Sequence, residues 1–262
     1  MVYLGQKETM QRRFTLPLDN SAIKSKAREV IATSNPHAVT VGLVYLTISL
    51  VLSALGARVM SVNISESEAM NYLRYAMDGN YTYALQYAER MQPPATAYAI
   101  HALLSLVSSV VSAGFIIFLL NTVRNRQPCY ANLLDGFGIW WKILVLNLLQ
   151  SLIVGLLSLL FVIPGVIAHY RYSQAMYILL DDPAKSPVQC LRESGEMMKG
   201  HKQELFLLEL SLIGWLLLGM IPYVGYLAEI WTVPYIGMVR VLYYEKLIGG
   251  NVWSYTPNYP IE

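Results

Sequence analysis

Four charged side chains lie inside apolar runs: Arg171 in VIAHYRYSQAMYILL, Glu209 in LFLLELSLIGW, Glu229 in YLAEIWTVPY and Arg240 in IGMVRVLYY. A charge at the centre of a bilayer costs about 2.5 to 3.5 kcal/mol on insertion scales. Such groups persist where they pair, reach water or carry a function. Counting along helices, Arg171 falls roughly 9 Å beyond Pro164-Gly165 and Glu229 roughly 10 Å beyond Pro222-Tyr223, at 1.5 Å per residue. Glu209 and Arg240 match in depth from the opposite side. The expected pairs are Arg171 with Glu229 and Glu209 with Arg240. Their chemistry would be to fix helix register, with a polar substrate path or proton relay as the sharper reading and snorkelling to the interface as a third.

Other reactive side chains form no constellation. His37, His101, His169 and His201 lie on different segments, and His201 with Glu204 one turn away supplies only two groups, too few for a metal site. Cys129 and Cys190 stand outside any C-x-x-C spacing and read as free thiols. No Walker loop or nucleophile elbow is visible, so no enzyme, cofactor or metal is expected. Ser105, Ser108, Ser109, Ser112 and Gly114 give one apolar segment a small-residue face suited to close helix packing, as do Gly214 and Gly219 beside Trp215 in another.

The elements that must position these groups follow from composition. Of 262 residues, 55% are hydrophobic and 14% charged, against about a quarter charged in soluble domains. A net charge of +2 without a basic, aromatic-interleaved run excludes nucleic acid as a partner. A bilayer needs about 20 apolar residues per helix. Residues 39–57 and 97–120 supply that. The apolar stretch from Ile139 to Leu180 would be about 63 Å long as one helix, so it must fold back, and Pro164-Gly165 is the expected hairpin turn. Further spans are expected at residues 205–221 and 224–244, with Pro222-Tyr223 between them.

The expectation is an all-α polytopic membrane protein with six transmembrane helices, at about 39–57, 97–120, 139–161, 166–180, 205–221 and 224–244, forming three helical hairpins. Residues 1–36 form an N-terminal segment with an amphipathic helix on which Ile23, Ala27, Val30 and Ile31 share a face. Residues 37–248 form one membrane domain, with an outer loop at 58–96 that carries an interfacial helix around YTYALQYAERMQ. Residues 249–262 form a tail. Segments 121–138 and 181–204 are basic, and keeping both on the cytoplasmic side requires the hairpin. Both termini are then cytoplasmic. In segment 185–204, Ser186 caps a helix whose apolar face holds Val188, Leu191 and Met198, while Lys185, Arg192, Lys199 and Lys202 face anionic headgroups or a protein partner.

The stretches FVIPGVIAHYRYSQAMYILLDDP, LRESGEMMKGHKQELFLLELSLIGW and VPYIGMVRVLYYEKL, in this order and spacing, resemble a bacterial integral-membrane family catalogued as domain of unknown function nine-seven-five. The resemblance covers roughly residues 20 to 248 and is closest from Asp135 onward. It implies a bacterial plasma membrane and many helices, and it supplies no catalytic residues. Together these readings point to a non-enzymatic membrane component that binds membrane lipids or a protein, in envelope maintenance or assembly. The alternative is a small-solute transporter or channel using Arg171, Glu229, Glu209 and Arg240.

Overall fold

The computed structural model describes residues 20–221 and 224–249. Every element among them is helical. Helix α1 (Asn20–Thr33) buries Ile23, Ala27, Val30 and Ile31, the face its 3.6-residue periodicity defines. That face packs against α13 (Val224–Leu247), so the amphipathic segment covers its own protein. After α1 come α2 (Ala38–Met60), α3 (Glu66–Met77), α4 (Tyr81–Arg90) and α5 (Ala95–Val123). Helix α2 lies along α5, where Tyr45 stacks on Phe115 with centroids 4.7 Å apart.

Helix α4 occupies the interfacial segment expected in the outer loop, and α3 is an addition to it. Its start is written in the sequence as S-x-x-E. The Ser65 hydroxyl accepts from the Glu68 N–H, and the Glu68 carboxylate accepts from the Ser65 N–H.

A short helix α6 (Asn132–Asp135) and one 3-10 turn lead into α7 (Trp140–Leu160). Close approach fixes this corner: a Cβ at Gly114 would run into the Leu133 carbonyl, so glycine is what lets α6 lie on α5. Three stretches are long and apolar enough to cross a membrane: Ala38–Met60, Ala95–Val123 and Asn132–Leu160.

The later segments are built differently from unbroken spans. Residues 162–181 form α8 (Val162–Tyr172) and α9 (Ala175–Asp181), interrupted at Ser173-Gln174. Residues 202–219 form α11 (Lys202–Leu210) and α12 (Ile213–Gly219), interrupted at Ser211-Leu212. Between these pairs lies α10 (Pro187–Met197). Helix α13 is continuous over 24 residues with Pro234 inside it.

The chain does reverse before α8, but not at Pro164-Gly165. The extended residue is Phe161, with φ −155° and ψ 142°. Pro164 stands in the first turn of α8, where an amide N–H has no intrahelical acceptor and its loss costs little. Gly165 faces Ser158 of α7 so closely that a Cβ would collide with the serine side chain. The glycine therefore sets the packing distance of α7 and α8 and does not make the bend. The second expected turn, Pro222-Tyr223, lies outside the described residues, as do residues 1–19 and the tail from 250.

Packing is concentrated at one end of the long helices. The buried core gathers Val110 to Val123 of α5, Ile143 and Leu146 of α7, Leu205 and Leu208 of α11 and Met238 to Tyr244 of α13. The other halves expose large apolar side chains in bands, among them Leu50, Val51 and Leu55 of α2, Leu148, Leu152 and Leu156 of α7, and Leu216, Leu217 and Met220 near α12. Bands of this extent would drive aggregation in water and cost nothing in lipid.

Helix α10 is capped as its sequence indicates. The Ser186 hydroxyl accepts from the Gln189 N–H, the Gln189 side chain returns to the Ser186 N–H, and Pro187 sits at the start. Its buried face differs from expectation. Leu191 is covered and Met198 just beyond the helix is fully covered, together with Cys190, Ser194 and Gly195, whereas Val188 is 64% exposed.

Candidate functional site

The two interrupted segments and the proline-bearing helix converge on one polar cluster. Arg240, on α13, donates from Nε to Glu209 Oε1 at 3.1 Å, and its Nη2 lies 2.9 Å from the same oxygen in an ion pair. The second carboxylate oxygen, Oε2, accepts from the Tyr170 hydroxyl at 3.0 Å. Glu209 lies two residues before the break at Ser211 and Tyr170 three residues before the break at Ser173, so the ends of α11 and α8 meet over α13. The arginine is the outward member of the pair, with its side chain 48% exposed against 21% for Glu209.

Arg171 and Glu229 are not brought together. The Arg171 guanidinium lies over the Tyr172 ring at 5.5 Å and beside Gly195, where a Cβ would meet its Nε at 2.9 Å. Its carbonyl accepts from Ser194 Oγ at 2.9 Å, tying α8 to α10. Glu229 forms no ion pair among the described residues and faces a cavity.

That cavity, of about 410 Å³, runs along one face of α13 through Glu229, Thr232, Val233, Ile236, Gly237 and Arg240. The spacing is i, i+3, i+4, i+7, i+8, i+11, one helical stripe about 16 Å long. Tyr45 of α2, Phe115, Ile116 and Leu119 of α5, and Trp215 and Leu216 of α12 complete its largely apolar wall. A smaller cavity of about 140 Å³ also reaches Arg240 and is richer in polar groups, with Gln150, His169, Ser173, Gln174, Glu209 and Tyr243 around it beside Leu205. Arg240 and Tyr177 belong to both walls. Each cavity holds a buried polar atom without a protein partner: Thr232 Oγ1 in the larger and Gln174 Oε1 in the smaller, on residues 6% and 3% exposed.

The remaining candidates have other surroundings. Ser105 and Ser108 face Ser49, Ser53 and Gly56 across a cleft between α2 and α5, with His101 at one end. Ser109 is bonded by Asn147 Nδ2 at 2.6 Å, and Ser112 joins the wall of the larger cavity. A Cβ at Gly214 would meet nothing within 4 Å, so that glycine does not serve close packing. His201 Nδ1 lies 2.9 Å from Glu204, and His37 caps α2 by accepting from the Val39 N–H. No group of His, Cys, Asp and Glu suited to a metal occurs among the described residues. Both cysteines are free, Cys129 exposed and Cys190 fully buried.

Next to this cluster a second polar junction ties α5, α9 and α13 together. Arg124 donates to Asp181 and, at 2.6 Å, to Glu245, while the Tyr244 hydroxyl donates to Asp181 Oδ2 at 3.1 Å. On the surface of α10, the Glu193 carboxylate accepts from Lys185 Nζ at 2.7 Å and raises the lysine's pKa. Sequence reasoning missed this junction because its members stand at segment ends, where charge is unremarkable.

Residues 158–251 match the family model described as "Protein of unknown function (DUF975)". The DUF975 match contains α8 to α13 in full, hence Glu209, Arg240, Gln174, Thr232 and Glu229, and is narrower than the resemblance read from the sequence. Only the α2 and α5 walls of the larger cavity and Gln150 of the smaller come from outside it. Searches of curated proteins and of solved structures found no match.

Proposed function

We propose that this chain is an integral membrane protein that holds a lipid-like amphiphile between α2, α5, α12 and α13, and that it is not an enzyme. The observation that carries the reading is the cavity of about 410 Å³, lined mostly by aromatic and aliphatic side chains, with Arg240 of the Arg240–Glu209 pair at one end of its α13 stripe. Its volume lies at the lower end of the roughly 300 to 1,000 Å³ typical of small-molecule sites, which suits one apolar chain.

In this reading the chain crosses a bacterial plasma membrane six times, through α2, α5, residues 132–160, α8 with α9, α11 with α12, and α13, with both termini in the cytoplasm. The exposed apolar bands support burial in lipid. Interrupted helices are tolerated at membrane depth where freed backbone groups line a cavity, and both breaks adjoin the polar cluster. The exposed side of α10, with Val188, Arg192 and Lys199, is open to headgroups or to a protein partner.

A second reading, a small-solute transporter, is favoured by two cavities that share Arg240 and Tyr177 beside interrupted helices. One experiment separates the two. Protein released in mild detergent and weighed by native mass spectrometry should carry a bound amphiphile, and Gly219→Leu should displace it. Gly219 lines the cavity and a Cβ there meets nothing within 4 Å, so a side chain can start from this position without strain. An empty wild-type protein that catalyses solute flux in proteoliposomes would favour transport instead.

A further inference from the structure

We infer that the ligand is a single-chain amphiphile with an anionic head group, bound with the head at Arg240 and the chain along α13 toward Glu229. This rests on the amphiphile reading above and deepens it. Charge sets the sign. Both oxygens of Glu209 are already engaged, one by Arg240 and one by Tyr170. A guanidinium has five N–H donors in a planar fork, and Glu209 occupies only one edge through a single oxygen. The remaining edge belongs to a side chain that is 48% exposed and lines both cavities. An anionic oxygen is the acceptor such donors select, and the charge-assisted bond is strong in water-poor surroundings.

Orphaned polar atoms indicate where the polar end goes. Gln174 is 3% exposed, its Nε2 donates to Ser173 Oγ, and its Oε1 has no protein donor. An unpaired buried carbonyl is costly, and a small rotation of the Gln174 side chain brings Oε1 to a hydroxyl of the head group or a water carried with it. Thr232 Oγ1, 6% exposed and likewise unpaired, lies within the larger cavity two turns from Arg240. At the far end of the stripe, Glu229 has no cationic partner among the described residues, so the unoccupied guanidinium edge of Arg240 is what sets the ligand's direction.

The test uses the full chain in nanodiscs of zwitterionic lipid, with competition against a diazirine-bearing fatty acid as the readout. Competitors share one chain and differ in head group: dodecanoate, dodecyl phosphate, dodecanol and dodecyltrimethylammonium. Both anions should compete about 10- to 100-fold more strongly than the alcohol, the worth of one hydrogen bond to a charged group, and the cation least. Whichever anion is tighter tells a fatty acid from a phosphate-bearing lipid. Removing Arg240 alone would strand Glu209, so the informative variant is Arg240→Gln with Glu209→Gln, which should equalise competition by anion and alcohol. Equal competition by alcohol and anions in the wild type, or an anion preference that survives the double variant, overturns the assignment while leaving amphiphile binding in place. If no competitor displaces the probe and Gly219→Leu does not lower its labelling, amphiphile binding itself falls.

Discussion

Gly165 carries a residue-scale prediction because its neighbour is so close. Replacing it with alanine drives a methyl group into Ser158 and should destabilise the protein by about 1 to 3 kcal/mol, the usual cost of overpacking. Gly155, one turn earlier in α7, meets nothing within 4 Å, so Gly155→Ala should be neutral or stabilising by up to about 1 kcal/mol from helix propensity. Thermal unfolding of the two variants in the same detergent checks the contrast, and equal effects would refute the packing role. At this scale the sequence was partly legible. Depth counting along a helix brackets where a charge sits, yet it says nothing of rotation about the axis. Glu209 and Arg240 face each other. Arg171 turns instead toward Gly195 and Tyr172, and no periodicity argument could have placed α10 there.

Among the elements, α3 offers a pH test. The Ser65 backbone N–H bond to Glu68, followed by the Ser65 hydroxyl bond, holds the Glu68 carboxyl below its ordinary value of 4.5. A depressed acid contributes stability that is fully present above that ordinary value and lost as pH falls through the lowered one. Amide exchange in residues 66–77 should therefore accelerate below about pH 4.5 relative to the rest of the chain, and Ser65→Ala should produce the acceleration already at neutral pH. Unchanged protection in the variant would exclude the capping box as its source. Both caps, at Ser65 and Ser186, are readable from residue types three apart. The α1 face is readable too, because four residues at helical spacing had to be covered by something. Breaks at Ser173 and Ser211 were not readable: no Pro or Gly marks them, and the side chains that accommodate them come from distant segments. Pro164-Gly165 misled for the converse reason, since strong turn formers also serve as helix-start and close-packing residues.

For the molecule as a whole, the burial pattern explains why apolar content signals a membrane while giving no count of crossings. Helices α8, α9, α11 and α12 are each too short to register as spans. The six crossings with cytoplasmic termini proposed above predict a definite labelling pattern. In intact cells a membrane-impermeant maleimide should modify Asp78→Cys and spare Cys129 and Lys199→Cys. Cys190 is uninformative because it is fully buried and resists reagent from either side. Modification of Lys199→Cys but not Cys129 from outside would break the arrangement, since it puts the two ends of the α7–α8 unit on opposite faces.

The central claim is that the space beside α13 holds an amphiphile, and photo-crosslinking tests it most directly. Membranes bearing the protein would be irradiated with a diazirine fatty acid and the adducts mapped by peptide mass spectrometry. The account predicts adducts on Phe115, Trp215 and Ile236 that Gly219→Leu abolishes. Adducts confined to the exposed rows at Leu148, Leu152 and Leu156, and indifferent to Gly219→Leu, would contradict it.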